Sequence, residues 1–245
     1  MATVDVRRAT ARGVLHGAPG VESRHSFSFG AHLEEGNSHF GLLLAHHEDR
    51  IDPGAGYDDH PHRDTEIVTW VLEGALAHDD DAGRSARVTP GTVQRLSAGR
   101  GVVHSERNAA GDEPVHLVQM WLLPDEAGTE PVHETADVSA ALDAGGLVPV
   151  AGRGAAAGLG IADAVLHVAR PPAGDRLDLP DAPYLHVFVA RGEVDLGDHD
   201  DRDDLAAGDA ARIAESDAMS LTARTDAEVL VWEMHSDLAT PEESA

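Results

Sequence analysis

Residues 60–74 read HPHRDTEIVTWVLEG. The stretch opens with two histidines at i and i+2 and closes with a β-branched and aromatic run that stops at glycine. On an extended strand alternate side chains share a face, so His60 and His62 point the same way. Glu66 keeps their parity if the strand stays regular. Ile67, Val68, Thr69 and Trp70 favour a strand, and Gly74 supplies the turn that a hairpin needs.

The same pattern extends in both directions. HSFSFG from His25, GLLLAHH from Gly41, VQRLSAG from Val93, GVVHSERN from Gly101 and VHLVQMWLLP from Val115 are short β-type runs separated by Gly, Pro and Asp. Strands resume with VLHVARPPAG from Val165, YLHVFVARGEVDLGD from Tyr184, AARIAE from Ala210, SLTAR from Ser220 and EVLVWEM from Glu228. Many short strands with turn signals between them predict an all-β sandwich or barrel architecture. Residues 125–160 are richer in Ala, Gly, Glu and Pro, and ADVSAALDAGG from Ala136 predicts one short helix inside a connection.

The second half repeats the first. Laying IVTWVLEGALAH from Ile67 over LHVFVARGEVDL from Leu185 sets Gly74 on Gly192, and laying TPGTVQR from Thr89 over AAGDAAR from Ala206 sets Gly91 on Gly208. Two β domains of one plan explain this: residues 1–124, a connection over 125–160, and residues 161–245.

A second pair of metal-capable groups follows the first. In GRGVVHSERN, His104 and Glu106 again stand at i and i+2. Two strands that each present such a pair inward predict a site of three imidazoles and one carboxylate. Imidazole and carboxylate without sulfur suit Fe(II), Mn(II), Ni(II), Co(II) or Zn(II). GRG lacks the Gly-Lys-Ser/Thr and the following helix of a phosphate loop.

Composition excludes several classes. The chain has 245 residues, no cysteine and a formal charge of −26, and each of its 18 basic residues is arginine. Disulfides, thiolate metal sites and cysteine nucleophiles are therefore absent. A field of this sign repels phosphate backbones and anionic membranes, so nucleic acid is not expected as a partner. No apolar run approaches the roughly 18 residues of a membrane span, and MATVDVRRATARG has no apolar stretch after its arginines, so a cytoplasmic protein is expected.

These motifs resemble a known family. Gly54-x5-His60-x-His62-x3-Glu66 ending at Gly74, with Gly91 through Gly101-x2-His104-x3-Asn108, is similar to the two cupin motifs. HPHRDTEIVTWVLEG with TPGTVQRLSAGRGVVHSE resembles the pirins more narrowly, as do SRHSFSFG from Ser23, GLVPVAG from Gly146 and APYLHVFVARG from Ala182. The likeness covers about residues 2–238. Many members carry Gly-Phe where this chain has Asp64-Thr65, a departure expected at the pocket wall.

The resemblance implies a bicupin, two tandem double-stranded β-helix (jelly-roll) barrels, with one metal in the N-terminal cupin. The implied ligands are His60, His62, His104 and Glu106, the ion Fe(II) with Mn, Ni, Co or Zn as alternatives. Glu66 is left as a group that could orient an imidazole. The repeat places Asp178, Pro180, Leu221 and Ala223 on His60, His62, His104 and Glu106, so the C-terminal copy is expected to have an apolar interior and no metal.

Bacterial members resemble quercetin 2,3-dioxygenases, which open a flavonol ring with O2 and release carbon monoxide. Glu106 is then the expected general base for the flavonol 3-hydroxyl. The alternative is an iron-dependent regulatory module that binds a protein partner without turnover; a weaker one is another cupin reaction such as isomerisation. A monomer is expected, because two fused cupins can mimic a cupin dimer. Trp70 and Trp121 read as core and His186 as a hydrogen-bonded core histidine; His46 and His47 adjoin a strand and could reach the cavity, but core or exposed positions are favoured. His25, His32, His39, His78, His116 and His133 show no second ligand at useful spacing. Asp79, Asp80, Asp81 and DHDDRDD from Asp198 read as solvated turns.

Overall fold

The computed structural model describes residues 3–197, 203–215 and 218–238; most of the DHDDRDD run lies outside them. The architecture is a bicupin, almost entirely β.

In the first half a seven-stranded sheet runs in the order Val132–Asp137, Thr92–Ser97, Glu66–Glu73, Val115–Leu122, Leu43–Ile51, Val21–His25, Gly13–Leu15. Its companion has four strands, Gly56–His62, Val102–Asn108, Leu76–Asp80 and Ser85–Val88. The second half has a six-stranded sheet in the order Thr3–Arg7, Ala210–Ala214, Tyr184–Arg191, Glu228–Met234, Ala164–Ala169, Val148–Gly152, and a four-stranded one of Arg176–Asp178, Ser220–Ala223, Glu193–Leu196 and Asp203–Ala206. The first strand of the chain, Thr3–Arg7, pairs with Ala210–Ala214 and so straps the N-terminus onto the second half. Within 125–160 lie a short helix, Ser139–Asp143, and one strand for each large sheet.

The run at 67–72, apolar but for Thr69, is buried on both faces. Val68, Trp70 and Leu72 join a cluster shared by the two halves, with Phe188, Ala190, Leu230, Trp232 and Met234. Ile67 and Val71, of opposite parity, pack elsewhere within the first half. Tyr184–Arg191 mirrors this arrangement, sending Phe188 and Ala190 to the shared cluster and Leu185, Val187 and Val189 into its own half. Polar ties cross the junction as well. Trp70 Nε1 donates to Glu228 Oε1 at 2.7 Å, and Arg212 Nη2 donates to the Ser26 carbonyl at 2.9 Å.

The repeat is visible in the backbone. Gly74 and Gly192 adopt φ of 77° and 76°, and Gly91 and Gly208 both 88°, the left-handed region that glycine enters without steric cost. Leu221 and Ala223, on the repeat positions of His104 and Glu106, are buried in the apolar cluster of the second half, as expected.

Candidate metal centre

The small sheet of the first half builds the site. Gly56–His62 and Val102–Asn108 pair antiparallel, with His60 opposite His104 and Val102 opposite His62. Ring centroids of His60 and His104 are 4.4 Å apart, those of His60 and His62 4.9 Å, and those of His62 and His104 5.0 Å. One ring nitrogen from each of the three lies within 4.8 Å of the others.

Glu106 does not complete that set. A bulge between His104 and Glu106 places Glu106 opposite Tyr57 rather than Asp58. Glu106 instead groups with His78 and His104, again within 4.8 Å. It is buried on the wall of the same cavity that His60 and His62 line, and accepts a 2.9 Å hydrogen bond from Gln119 Nε2 and a longer one from Gln94. Gly56 allows the two backbones to close, because a Cβ there would stand 2.3 Å from the Glu106 carbonyl oxygen.

The donor set fits a divalent ion. His60 Nδ1–H donates to the Asp58 carbonyl at 2.8 Å, which leaves the Nε2 lone pair free. His104 Nδ1 lies 3.2 Å from His78 Nδ1, and His104 Nε2 is buried with no protein partner. With Nε2 as the ligand atom, His104 Nδ1–H donates to His78, whose Nε2 faces Asp80 Oδ2 at 3.8 Å. Burial and the neighbouring imidazoles hold His104 neutral down to about 2, and burial with His60 holds His62 neutral down to about 4. Burial pushes the Glu106 carboxyl up to about 7.

Around these groups lies a cavity of about 220 Å³. Phe29, Trp121, His25 and His47 give it aromatic walls; Ser23, Asp49 and Tyr57 give it a polar one. Phe29 meets the Trp121 ring at 84° and 5.5 Å, and Trp121 Nε1 donates to Gln119 Oε1 at 2.9 Å.

Several sequence expectations are corrected here. Among the described residues Glu66 bonds to no imidazole. The chain breaks at Asp64, φ 49°, so Glu66 starts a new strand and accepts from Ser97 Oγ at 2.6 Å and Gly160 N at 3.0 Å. Asp64 is not on the cavity wall; its Oδ1 caps Gly128 N at 2.6 Å. Trp121 lines the cavity, whereas Trp70 is core. The Asp80 side chain is fully buried. His186 is a core histidine, but neither ring nitrogen has a hydrogen-bond partner among the described residues. His78 shares the parity of Leu76 and of Asp80, an H-x-D pair readable in the sequence although its aspartate reads there as part of a solvated turn, and its contact with His104 comes from the pairing of two strands, which local spacing does not encode.

Residues 4–122 match the pirin family, and residues 150–234 match the quercetinase C-terminal cupin domain. A Mycobacterium tuberculosis protein named "Putative quercetin 2,3-dioxygenase" is 48% identical over 241 residues, 97% of each chain.

The chain belongs to the pirin family.

An Escherichia coli relative of this pirin, named quercetin 2,3-dioxygenase, is 40% identical over 130 residues, 53% of this chain and 55% of its own. The crystal structure of the bacterial pirin YhhW from Escherichia coli, in complex with nickel(II), superposes with a TM-score of 0.86 at 29% identity, covering 96% of this chain and 100% of that one. Among the described residues no helix is long and apolar enough to cross a membrane.

Proposed function

We propose that this pirin is a metal-dependent dioxygenase that opens the central ring of a flavonol such as quercetin with O2 and releases carbon monoxide. The observation that carries the reading is the convergence of three imidazoles beside a buried carboxylate at an aromatic-walled cavity. The names of the relatives support the same chemistry.

His60, His62 and His104 would hold the ion, Fe(II) in this reading, with Glu106 adjoining it. A bound divalent ion supplies Lewis acidity toward the flavonol 3-hydroxyl and a meeting point for substrate and O2. Glu106 takes the 3-hydroxyl proton. Gln119 fixes the carboxylate through its Nε2–H, so that its other oxygen is held toward the cavity. Phe29 and Trp121 give the flavonol apolar contacts and exclude water.

The cavity is larger than the about 150 Å³ that accepts benzene and smaller than the roughly 300–1,000 Å³ of pockets that enclose drug-sized ligands. It therefore takes the fused bicyclic part of a flavonol and leaves the third ring at the mouth. We place the protein in the cytoplasm as a monomer, a reading supported by the apolar faces that the two halves already bury against each other. The test is quercetin decay under air by the metal-loaded full chain, with His60→Ala expected to lose both metal and turnover.

A further inference from the structure

Ser23, Asp49 and Tyr57 have no part in holding the ion or taking the 3-hydroxyl proton, yet all three line the cavity. They come from three strands. Ser23 stands opposite Asp49 across the Val21–His25 and Leu43–Ile51 pair, and Tyr57 stands opposite Glu106 in the small sheet. Asp49 is 2% exposed. Its Oδ1 accepts the Ser23 hydroxyl and its Oδ2 accepts the Tyr57 hydroxyl at 2.9 Å.

The polarity of this group follows from counting protons. A hydroxyl has one hydrogen to donate and two lone pairs. Asp49 as a carboxylate accepts only, so it takes the single proton of each neighbour. What Ser23 and Tyr57 then turn to the cavity is lone pairs. Gln119 does not offset this, because its amide donates to Glu106 and Thr69 while its oxygen accepts from Trp121; the unpartnered ring nitrogens on this lining, His25 Nδ1 and His47 Nε2, belong to the aromatic wall rather than to the Ser23–Asp49–Tyr57 group. The wall therefore receives a hydrogen-bond donor and leaves an acceptor unpaired, which costs binding free energy in a largely desolvated pocket.

We propose that Ser23, Asp49 and Tyr57 form a hydroxyl-selecting subsite, which favours aromatic substrates carrying a second O–H beyond the oxygen that meets the metal. The proposal rests on the reading that an aromatic hydroxy compound occupies this cavity. Asp49 acts here as a positioning residue, setting the direction in which the two hydroxyls point. Ser23 and Tyr57 are the groups that touch the ligand.

The test is an anaerobic titration of the metal-loaded full chain with quercetin and with 3-hydroxyflavone, which keeps the 3-hydroxyl and 4-keto group but has no other hydroxyl. Metal content is measured in every sample. Wild type is expected to bind quercetin at least about tenfold more tightly, the worth of one well-placed hydrogen bond. Tyr57→Phe and Ser23→Ala are expected to narrow that gap, with metal content and the 3-hydroxyflavone Kd unchanged. Asp49→Asn keeps one acceptor oxygen and replaces the other with an N–H donor, which frees one of the two hydroxyl protons, and is expected to shift preference from quercetin toward a quercetin methyl ether. Equal affinity for the two flavonols in wild type, or a gap that survives both hydroxyl variants, overturns the subsite. If neither flavonol binds, the flavonol reading fails, and the same comparison with catechol and phenol decides the subsite. Tighter catechol that weakens in Tyr57→Phe supports it, and equality overturns it.

Discussion

His78 Nδ1 lies 3.2 Å from Nδ1 of His104, and the His133 ring stacks on His78 at 4.1 Å and 6°. His104 is thus held from behind by a neutral imidazole that is itself clamped in place. Groups that orient a metal-bound histidine typically contribute 10–100-fold in metal affinity. His78→Leu is expected to weaken metal binding by about that factor, read as the metal retained after dialysis against a competing chelator. Retention equal to wild type would mean that His104 needs no such support.

Glu66 and Glu106 make a second contrast, both buried and both on the barrel of the first half. Glu66 serves Ser97 and Gly160, whereas Glu106 faces the cavity. Glu66→Gln is expected to cost about 1–3 kcal/mol in urea denaturation, the penalty for disturbing a buried polar pairing, and to leave kcat unchanged. Glu106→Gln is expected to lower kcat by about 10²-fold or more, as general-base removal does, with the protein's stability retained.

The junction between the halves predicts an acid-sensitive fold. His46 and His186 are fully buried, with ring centroids 5.1 Å apart, and burial holds His46 well below its ordinary value and His186 down to about 3. In the unfolded chain both take up a proton near pH 6.5. The unfolded state therefore binds more protons as pH falls below that value, and the stability present above it is lost progressively toward about 3. Each imidazole removes roughly 2 kcal/mol between about pH 6.5 and 5. Buried Asp49 and Glu106, pushed up to about 6 and about 7, act in the opposite sense, because the folded state holds their protons. The depressed histidines outnumber them, since His25, His47, His62 and His104 are lowered as well. Urea denaturation across this range is expected to show a falling midpoint, and His186→Leu a shallower slope.

Trp70 is fully buried, and its Nε1–H bonds to Glu228 across the junction. Trp70→Phe removes that donor and part of the ring, with an expected loss of about 2–4 kcal/mol. Because one apolar cluster spans both halves, thermal unfolding followed by tryptophan fluorescence and by far-ultraviolet circular dichroism is expected to give coincident transitions. Separate transitions would mean that the halves are held together only loosely.

Sequence spacing was a good guide wherever a strand stayed regular. His60 and His62 share the cavity because Gly56–His62 is an unbroken strand, and the glycine repeat exposed the second barrel because Gly192 and Gly208 must turn as Gly74 and Gly91 do. It failed where the backbone departs from period two at Asp64, whose left-handed conformation resets the parity of Glu66. The bulge after His104 shifts Glu106 toward Tyr57 but leaves it on the cavity wall with His60 and His62. Long-range pairings were out of reach for another reason. Ser23, Asp49, Tyr57 and Gln119 meet in one cavity through sheet order and register, which no local spacing encodes.

The central claim is that His60, His62 and His104, with Glu106 beside them, form one metal site that drives flavonol oxidation. Its most direct test is elemental analysis of the purified full chain after Fe(II) reconstitution, paired with quercetin decay under air. About one iron per chain, lost in His60→Ala together with turnover, is the predicted result. One metal per chain without quercetin decay would contradict the activity, and no metal under any reconstitution would contradict the site itself.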